Sequence, residues 1–133
     1  PKLYILDSGM LHRLLHITSN KELAGHPFSG ASWEAYVVSQ LIYNMPGHLT
    51  AYFYRTHTGA ECDVVLAQGH IIKYCIEIKL GKTPSVSKGF YQSLADLKCK
   101  NAFVICNTSH PYKTREGVMF TDLKSFIKLH LIK

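Results

Sequence analysis

The sequence predicts an α/β layered fold with a central mixed β-sheet, on three observations. A segment with apolar residues at helical spacing precedes three strand-like segments, which are separated by turns that contain glycine. A second amphipathic segment follows, and it leads into the short, continuously apolar sequence NAFVICN. Such a sequence is typical of a buried strand parallel to its neighbour. Elements in this order place helices against a central sheet.

The N-terminal part predicts a short strand and two helices. The apolar run 2–6 is strand-like, and Asp7 is suited to cap a helix over about 8–16. A loop over 18–30, which contains Asn, Gly and Pro, separates this helix from the next. The second helix is predicted over about 32–43, because apolar residues recur at four-residue spacing there and NMPGH ends the pattern.

The middle of the chain predicts an antiparallel meander followed by a helix. Strand-like runs cover 51–56, 61–67 and 70–80, and the sequences THTGA and AQG supply the turns between them. A helix over about 85–98 follows, with an apolar stripe along one side. Gly89 is an unfavourable residue within that helix.

The C-terminal part predicts a buried strand and a final helix. Residues 101–107 form the strand, which we expect to run parallel to its neighbour. After the loop TSHPYKTREG, the sequence VMF predicts a short edge strand. The final helix is predicted over 122–131, with either Thr121 or Asp122 as its cap.

Length and composition indicate one globular domain. The 133 residues are 47% apolar and 18% charged, and no apolar run approaches the ~18 residues of a membrane span. The short apolar runs predict no membrane partner. The four cysteines show no CxxC spacing, which favours a reducing, cytoplasmic setting. The net charge of +6 is compatible with a polyanionic partner such as nucleic acid. Because the chain opens on PKLYILDSG without a methionine, we expect it to be a fragment of a longer protein.

Charged residues interrupt two of the strand-like runs. Glu77 and Lys79 share one face of their strand by alternation, and Asp63 shares a face with Glu61 on the preceding strand. The opposite face of that preceding strand is predicted to be apolar: Cys62, Val64 and Leu66. Pairing of the two strands through the short turn would therefore bring Asp63, Glu77 and Lys79 into one polar cluster.

Two carboxylates and a lysine on rigid strands suit a divalent cation and a phosphate. Oxygen ligands hold Mg²⁺ while the ion keeps several waters, and a lysine stabilises developing negative charge. The alternative is that Glu77 and Lys79 form only the solvated face of an amphipathic strand. Clustered carboxylates repel each other, so we also expect alanine at Asp63 or Glu77 to leave stability unchanged or to raise it.

These residues resemble the PD-(D/E)xK nuclease superfamily, the fold of restriction endonucleases and Holliday junction resolvases. Asp63 is followed thirteen intervening residues later by Glu77-Ile-Lys79, and Glu34 lies in a preceding predicted helix. The blocks PKLYILDSGML, SWEAYVVSQL, FYRTHTGAECDVVL and CIEIKLG are similar to a domain of unknown function. That domain forms the C-terminal part of many bacterial and archaeal AAA-type ATPases. The resemblance covers nearly the whole chain.

The resemblance implies a restriction-endonuclease-like domain over residues 1–133, attached to an AAA-type ATPase module in the full-length chain. It implies that Glu34, Asp63 and Glu77 are acidic ligands of Mg²⁺ or Mn²⁺ and that Lys79 is the catalytic lysine. Gln92 matches a polar position often found in these nucleases. Cys62 stands where the motif has proline.

Further candidate residues follow from position alone. Arg55, at a strand end, could bind phosphate or pair with Glu61, and His57 in the next turn could contact substrate. The sequence GKT at 81–83 is no P-loop, because that motif needs a glycine where Ile76 stands, so the ATPase module is not in this segment.

Two functions remain open on the sequence. The first is metal-dependent hydrolysis of phosphodiester bonds in DNA, carried out by Asp63, Glu77 and Lys79. The second is a catalytically silent module of the same fold, which binds DNA or protein and regulates the ATPase.

Overall fold

The computed structural model describes residues 19, 21, 25–27 and 29–132, which fall into two compact units divided between Tyr43 and Asn44. The strand predicted at 2–6 and the helix predicted at 8–16 lie outside the described residues, together with much of the loop predicted at 18–30.

The first unit contains helix α1, Ser29–Asn44, which begins three residues earlier than the sequence predicts. The apolar side chains Val37, Val38 and Leu41 are buried, as the four-residue spacing indicates. Trp33 is half-buried, and its ring lies 6.0 Å from that of Tyr36. The predicted helix is therefore confirmed and extended at its N-terminus.

The second unit is built on a six-stranded mixed sheet with the strand order β1-β2-β3-β4-β6-β5. The elements of this unit have the following bounds: β1 Thr50–Arg55, β2 Glu61–Gln68, β3 Ile71–Ile78, α2 Lys88–Leu97, β4 Ala102–Ile105, β5 Tyr112–Lys113, β6 Val118–Thr121 and α3 Leu123–Phe126. A π-helical turn, Ile127–Leu131, continues α3.

The pairing of the strands confirms most of the predicted topology. Strands β1, β2 and β3 form the antiparallel meander, and β4 runs parallel to β3. The turns after β1 and β2 use Gly59 and Gly69 at positive φ, a conformation that glycine adopts without strain. Strand β6 was predicted at the sheet edge, and this is wrong: it lies between β4 and the two-residue edge strand β5.

Helices α2 and α3 cover opposite faces of this sheet. Ala102 and Val104 of β4 belong to the same buried cluster as Phe90 of α2. Phe103 lies between them in the strand and so points to the other face, where its ring is 4.9 Å from that of Phe126 in α3. The second unit is therefore a helix–sheet–helix arrangement.

A β-bulge interrupts strand β2. The register between β1 and β2 shifts between Tyr52 and Tyr54, so two residues of β2, Asp63 and Val64, lie opposite Phe53. A bulge of this kind bends the strand and changes the direction in which the side chains point. The irregularity thus falls on one of the residues that the sequence assigns to the site.

The bulge makes one predicted face assignment wrong. Strict alternation would put Cys62 on the same face as Val64, but Cys62 is buried in one cluster with Val65, Cys75 and Phe90. The extra residue in β2 breaks the two-residue period at this point. The burial of this part of β2 therefore differs from the sequence expectation, and the regular pairing of β2 with β3 begins only at Val64.

No helix among the described residues is long and apolar enough to cross a membrane.

Candidate functional site

The pairing of β2 with β3 brings Asp63 and Glu77 to neighbouring positions. The last paired residues at this end are Val64 and Ile76, so Asp63 and Glu77 are the next residues of the two strands beyond the last pair. The Asp63 carboxylate reaches across to β3, where its Oδ2 accepts a hydrogen bond of 2.8 Å from the Ile78 backbone N–H. The Asp63 side chain thus replaces a backbone carbonyl as the acceptor for Ile78, where the regular pairing of β2 with β3 ends.

Glu77 is a buried carboxylate, with 6% of the residue exposed. Its Oε2 accepts a hydrogen bond of 3.2 Å from the Ser87 backbone N–H, and its Oε1 accepts one from the Ser87 hydroxyl. The Lys79 ammonium lies 3.4 Å from Oε1. Buried charge is tolerated when it is paired and hydrogen-bonded, and these contacts meet that requirement.

Ser87 connects the carboxylate to helix α2. Its extended backbone makes it the N-cap of α2, and its Oγ accepts a hydrogen bond of 3.1 Å from the Phe90 N–H. The hydroxyl therefore accepts from the helix and donates to Glu77 at the same time. Sequence analysis missed this residue because it predicted the helix from residue 85. The usable signal was a serine three residues before the apolar Phe90.

Lys79 is held at its backbone and accessible at its side chain. Its backbone N–H donates a hydrogen bond of 3.0 Å to the Ile105 carbonyl of β4, while 36% of its side chain is exposed. The ammonium is therefore presented from the fixed end of β3. Asp63, Glu77 and Lys79 are thus brought together at one end of the β2–β3 pair.

The charge of Glu77 also reaches an aromatic residue that the sequence did not single out. Tyr91 lies on α2 and is partly exposed. Burial raises the pKa of its hydroxyl, and the negative charges of Glu116 and Glu77 raise that pKa further. Tyr91 is therefore a neighbour of the acidic site that carries a hydrogen-bonding group and an aromatic ring.

The three residues predicted to bind substrate have different surroundings. Arg55 ends β1, is exposed and pairs in register with Glu61. His57 is exposed in the turn after β1. The Gln92 amide donates a hydrogen bond of 2.9 Å to Asp96 on the same helix. For all three, substrate binding stays a prediction.

Glu34 lies in the second turn of α1 and is partly exposed. Since α1 belongs to the first compact unit and the sheet to the second, the assignment of Glu34 as a metal ligand stays a prediction.

Asp63 and Glu77 are the two carboxylates that the second unit offers to a cation at this place. Within the described part of the chain, no three His, Cys, Asp or Glu side chains come together in a group that could hold a metal ion. Two carboxylates suit Mg²⁺, which is commonly bound by one or two carboxylates, several waters and substrate phosphate. Magnesium binding stays a prediction.

Fold and site together define a mixed α/β domain that carries an acidic pair on two neighbouring strands and a lysine directly after the second of them. Residues 29–126 match the family described as a domain of unknown function (DUF4143), and the chain belongs to this family.

Two mycobacterial proteins are similar to the chain. One is "Uncharacterized protein Mb2031c" of Mycobacterium bovis and the other "Uncharacterized protein Rv2008c" of Mycobacterium tuberculosis. Each is 37% identical over 121 residues, which cover 90% of this chain and 26% of the relative. The chain thus spans about a quarter of the length of these relatives. No solved structure matches the chain.

Proposed function

We propose that this domain is a restriction-endonuclease-like nuclease of the PD-(D/E)xK type, which hydrolyses phosphodiester bonds of DNA with Mg²⁺ or Mn²⁺. In this proposal it is the cytoplasmic, C-terminal part of an AAA-type ATPase. The observation that carries the proposal is the end of the β2–β3 pairing: Asp63 and Glu77 directly follow the last pair, Val64–Ile76, and the Lys79 ammonium lies 3.4 Å from Glu77. The order α1, three antiparallel strands, α2 and a parallel β4 supports it.

The residues of the chain would have distinct roles. Asp63 and Glu77 would hold the cation, which would supply Lewis-acid stabilisation of the phosphate and a water of lowered pKa. Lys79 carries a fixed positive charge with partial solvent access, so it would stabilise negative charge on the phosphate oxygens in the transition state. Ser87 would position Glu77 through its two hydrogen bonds. In this way the sheet and the α2 N-terminus would preorganise the charges.

The test is a cleavage assay on single-stranded, duplex and branched DNA with Mg²⁺ or Mn²⁺. We expect cleavage by the wild-type chain and none by Asp63→Ala or Glu77→Ala. Lys79→Ala should lose turnover but still bind Mn²⁺, because the ammonium stabilises charge and is no metal ligand. Lys113→Ala on the edge strand β5 removes the same charge elsewhere and serves as the matched control. Cleavage that persists unchanged in Asp63→Ala and Glu77→Ala would contradict the proposed site and indicate a contaminating nuclease.

A catalytically silent module is the second candidate, and a specific observation favours it. Both oxygens of Glu77 already accept hydrogen bonds from Ser87, and Lys79 neutralises the charge. A carboxylate bound in this way joins β3 to α2 and has partners without a cation. On this alternative, wild type and variants are equally inactive on all three DNA substrates. Variants at Lys79 then change only DNA or partner affinity, which filter binding at several salt concentrations measures.

A further inference from the structure

A cavity lies within the sheet unit, at the end of β2 and β3 remote from the acidic site. It has a volume of about 550 Å³, within the range of about 300–1,000 Å³ that is usual for small-molecule sites. Gln68 at its wall lies five residues along β2 from Asp63, which corresponds to roughly 17 Å of strand. The cavity is therefore independent of the proposed nuclease chemistry.

Two irregularities of the backbone present side chains to this cavity. The register of β2 and β3 shifts between the pairs Leu66–Tyr74 and Ala67–Ile72, so Lys73 is the extra residue of a bulge. The Lys73 carbonyl is fixed by a hydrogen bond of 3.0 Å from the Asn101 amide. The π-helical turn carries His130, and both side chains line the cavity. Bulges and π-turns occur frequently beside functional sites, where they redirect side chains.

The polar part of the lining consists of side chains that can donate hydrogen bonds, one of which is the Lys73 ammonium. Lys73, His48, His130 and Gln68 all contribute, and none of the described lining residues is acidic. The structure gives the Lys73 ammonium and the His48 imidazole no hydrogen-bond or ion-pair partner among the described residues. Unpaired donors that converge on a cavity indicate an acceptor of negative charge.

The remaining walls are apolar and aromatic. Leu49 and Leu131 are buried, and Pro46 and Tyr74 complete this side. His130 takes part in an aromatic cluster, with its ring 5.4 Å from Tyr74, 4.8 Å from Phe103 and 5.1 Å from Phe126. These contacts fix the imidazole at the boundary between the apolar wall and the Lys73 ammonium. Burial lowers the pKa of His130, so its ring is mainly neutral at neutral pH and can gain a proton beside an anion.

We propose that this cavity binds a small organic anion, with its oxyanion group held by Lys73, His48 and His130 and its apolar or aromatic body against Tyr74, Leu49 and Leu131. The phosphate or carboxylate of such a ligand supplies the missing acceptors. The ring or apolar body packs against Tyr74, Leu49 and Leu131, which an inorganic anion would not contact.

The experiment is isothermal titration calorimetry of the chain with three probes: phenyl phosphate, inorganic phosphate and phenol. Saturable binding of phenyl phosphate, tighter than that of either other probe, is the expected result. Imidazole NMR signals should show a perturbation of His130 at saturation. Absence of saturable phenyl phosphate binding overturns the proposal. Inorganic phosphate binding as tightly as phenyl phosphate refutes the role of the apolar body, and phenol binding as tightly refutes the role of the oxyanion group.

Variants locate the binding. Lys73→Met keeps the length of the side chain and removes the charge, and it should weaken phenyl phosphate binding about tenfold or more. His130→Phe keeps the aromatic cluster and should weaken binding while the thermal unfolding curve stays close to wild type. Lys113→Met, on the edge strand β5, is the matched control and should bind as wild type. Equal affinity in Lys73→Met and wild type would show that the ligand binds elsewhere and would overturn the assignment of the cavity.

Discussion

Replacing Ser87 by alanine tests how the acidic site is held. The hydroxyl of Ser87 caps α2 by accepting from the Phe90 N–H at 3.1 Å and also donates to the buried Glu77. Ser87→Ala removes both interactions and leaves the Ser87 backbone N–H and Lys79 as partners of Glu77. No large apolar group is removed, so the change isolates the polar contacts.

The expected loss of unfolding free energy follows from the two interactions. Loss of a serine N-cap costs about 1 kcal/mol. Loss of a hydrogen bond to a charged group costs about 1.5–3 kcal/mol, and the lower figure applies because Glu77 keeps two other partners. We therefore expect Ser87→Ala to destabilise the chain by about 2.5 kcal/mol, which is a large part of the ~5–15 kcal/mol of a typical domain.

Urea unfolding followed by circular dichroism measures this loss. With an m-value of about 1–3 kcal/mol/M, the midpoint should fall by roughly 1 M. Ser85→Ala is the matched control, since Ser85 is exposed in the same loop, and it should change stability by less than ~0.5 kcal/mol. If Ser87→Ala and Ser85→Ala have the same midpoint, Ser87 does not hold Glu77 in solution and the description of the site is incorrect.

Three further substitutions extend the same urea series. Glu77→Ala should lose about 2 kcal/mol, because it leaves the partly buried N–H and hydroxyl of Ser87 without their acceptor. A neutral or stabilising effect would contradict the hydrogen bonds between Ser87 and Glu77. Gly89→Ala should lower the free energy of unfolding by about 1 kcal/mol. Alanine favours the helix by ~1 kcal/mol relative to glycine. However, its Cβ would lie 2.5 Å from the Gly59 carbonyl oxygen, and this steric clash costs about 1–3 kcal/mol. Burial pushes the pKa of the Asp122 carboxyl upward, but hydrogen bonds from Ser125 outweigh this and hold it below the ordinary 3.8. Asp122→Ala should therefore lower the free energy of unfolding by ~1 kcal/mol above about pH 4, and by less as the pH falls below 3.8. A loss that does not depend on pH would show that the negative charge of Asp122 does not stabilise the helix.

The topology of the sheet could be predicted from the sequence because it depends on local signals. Short glycine turns allow only antiparallel neighbours, and the apolar strand after a helix has to return parallel. The edge strand β5 lies within the predicted loop TSHPYKTREG and could not be predicted, since a two-residue strand has no periodicity. Its position depends on which edge of the sheet the segment of residues 106–117 reaches. The local sequence pattern therefore predicts the order of the elements along the chain. The identity of the edge strand depends on contacts between residues distant in the sequence.

The candidate site was predicted in its residue types and incompletely in its geometry. Alternation alone placed Glu77 and Lys79 on one face, and the 3.4 Å contact between them agrees with this. The bulge at Asp63 could not be predicted, because an extra residue in a strand is specified by pairing with both neighbours and not by the two-residue period. The prediction that the carboxylates repel each other was also incomplete, because it did not include the hydrogen bonds from Ser87 to Glu77.

Ser87 and Lys79 explain how a carboxylate stays within a strand of the core without a cation. Two hydrogen bonds and an ion pair offset the cost of burial, so the persistence of Glu77 is no evidence for a metal by itself. A cation bound to Glu77 would compete with the Lys79 ammonium, since both positive charges would bind the same oxygen, Oε1 of Glu77. Binding of Mn²⁺ would therefore release Lys79 toward solvent and toward a phosphate, which is the position that the proposed chemistry requires. In a silent module, the Lys79 ammonium stays paired with Glu77 when Mn²⁺ is added. Whether Mn²⁺ breaks this ion pair therefore distinguishes the two functions without a cleavage assay.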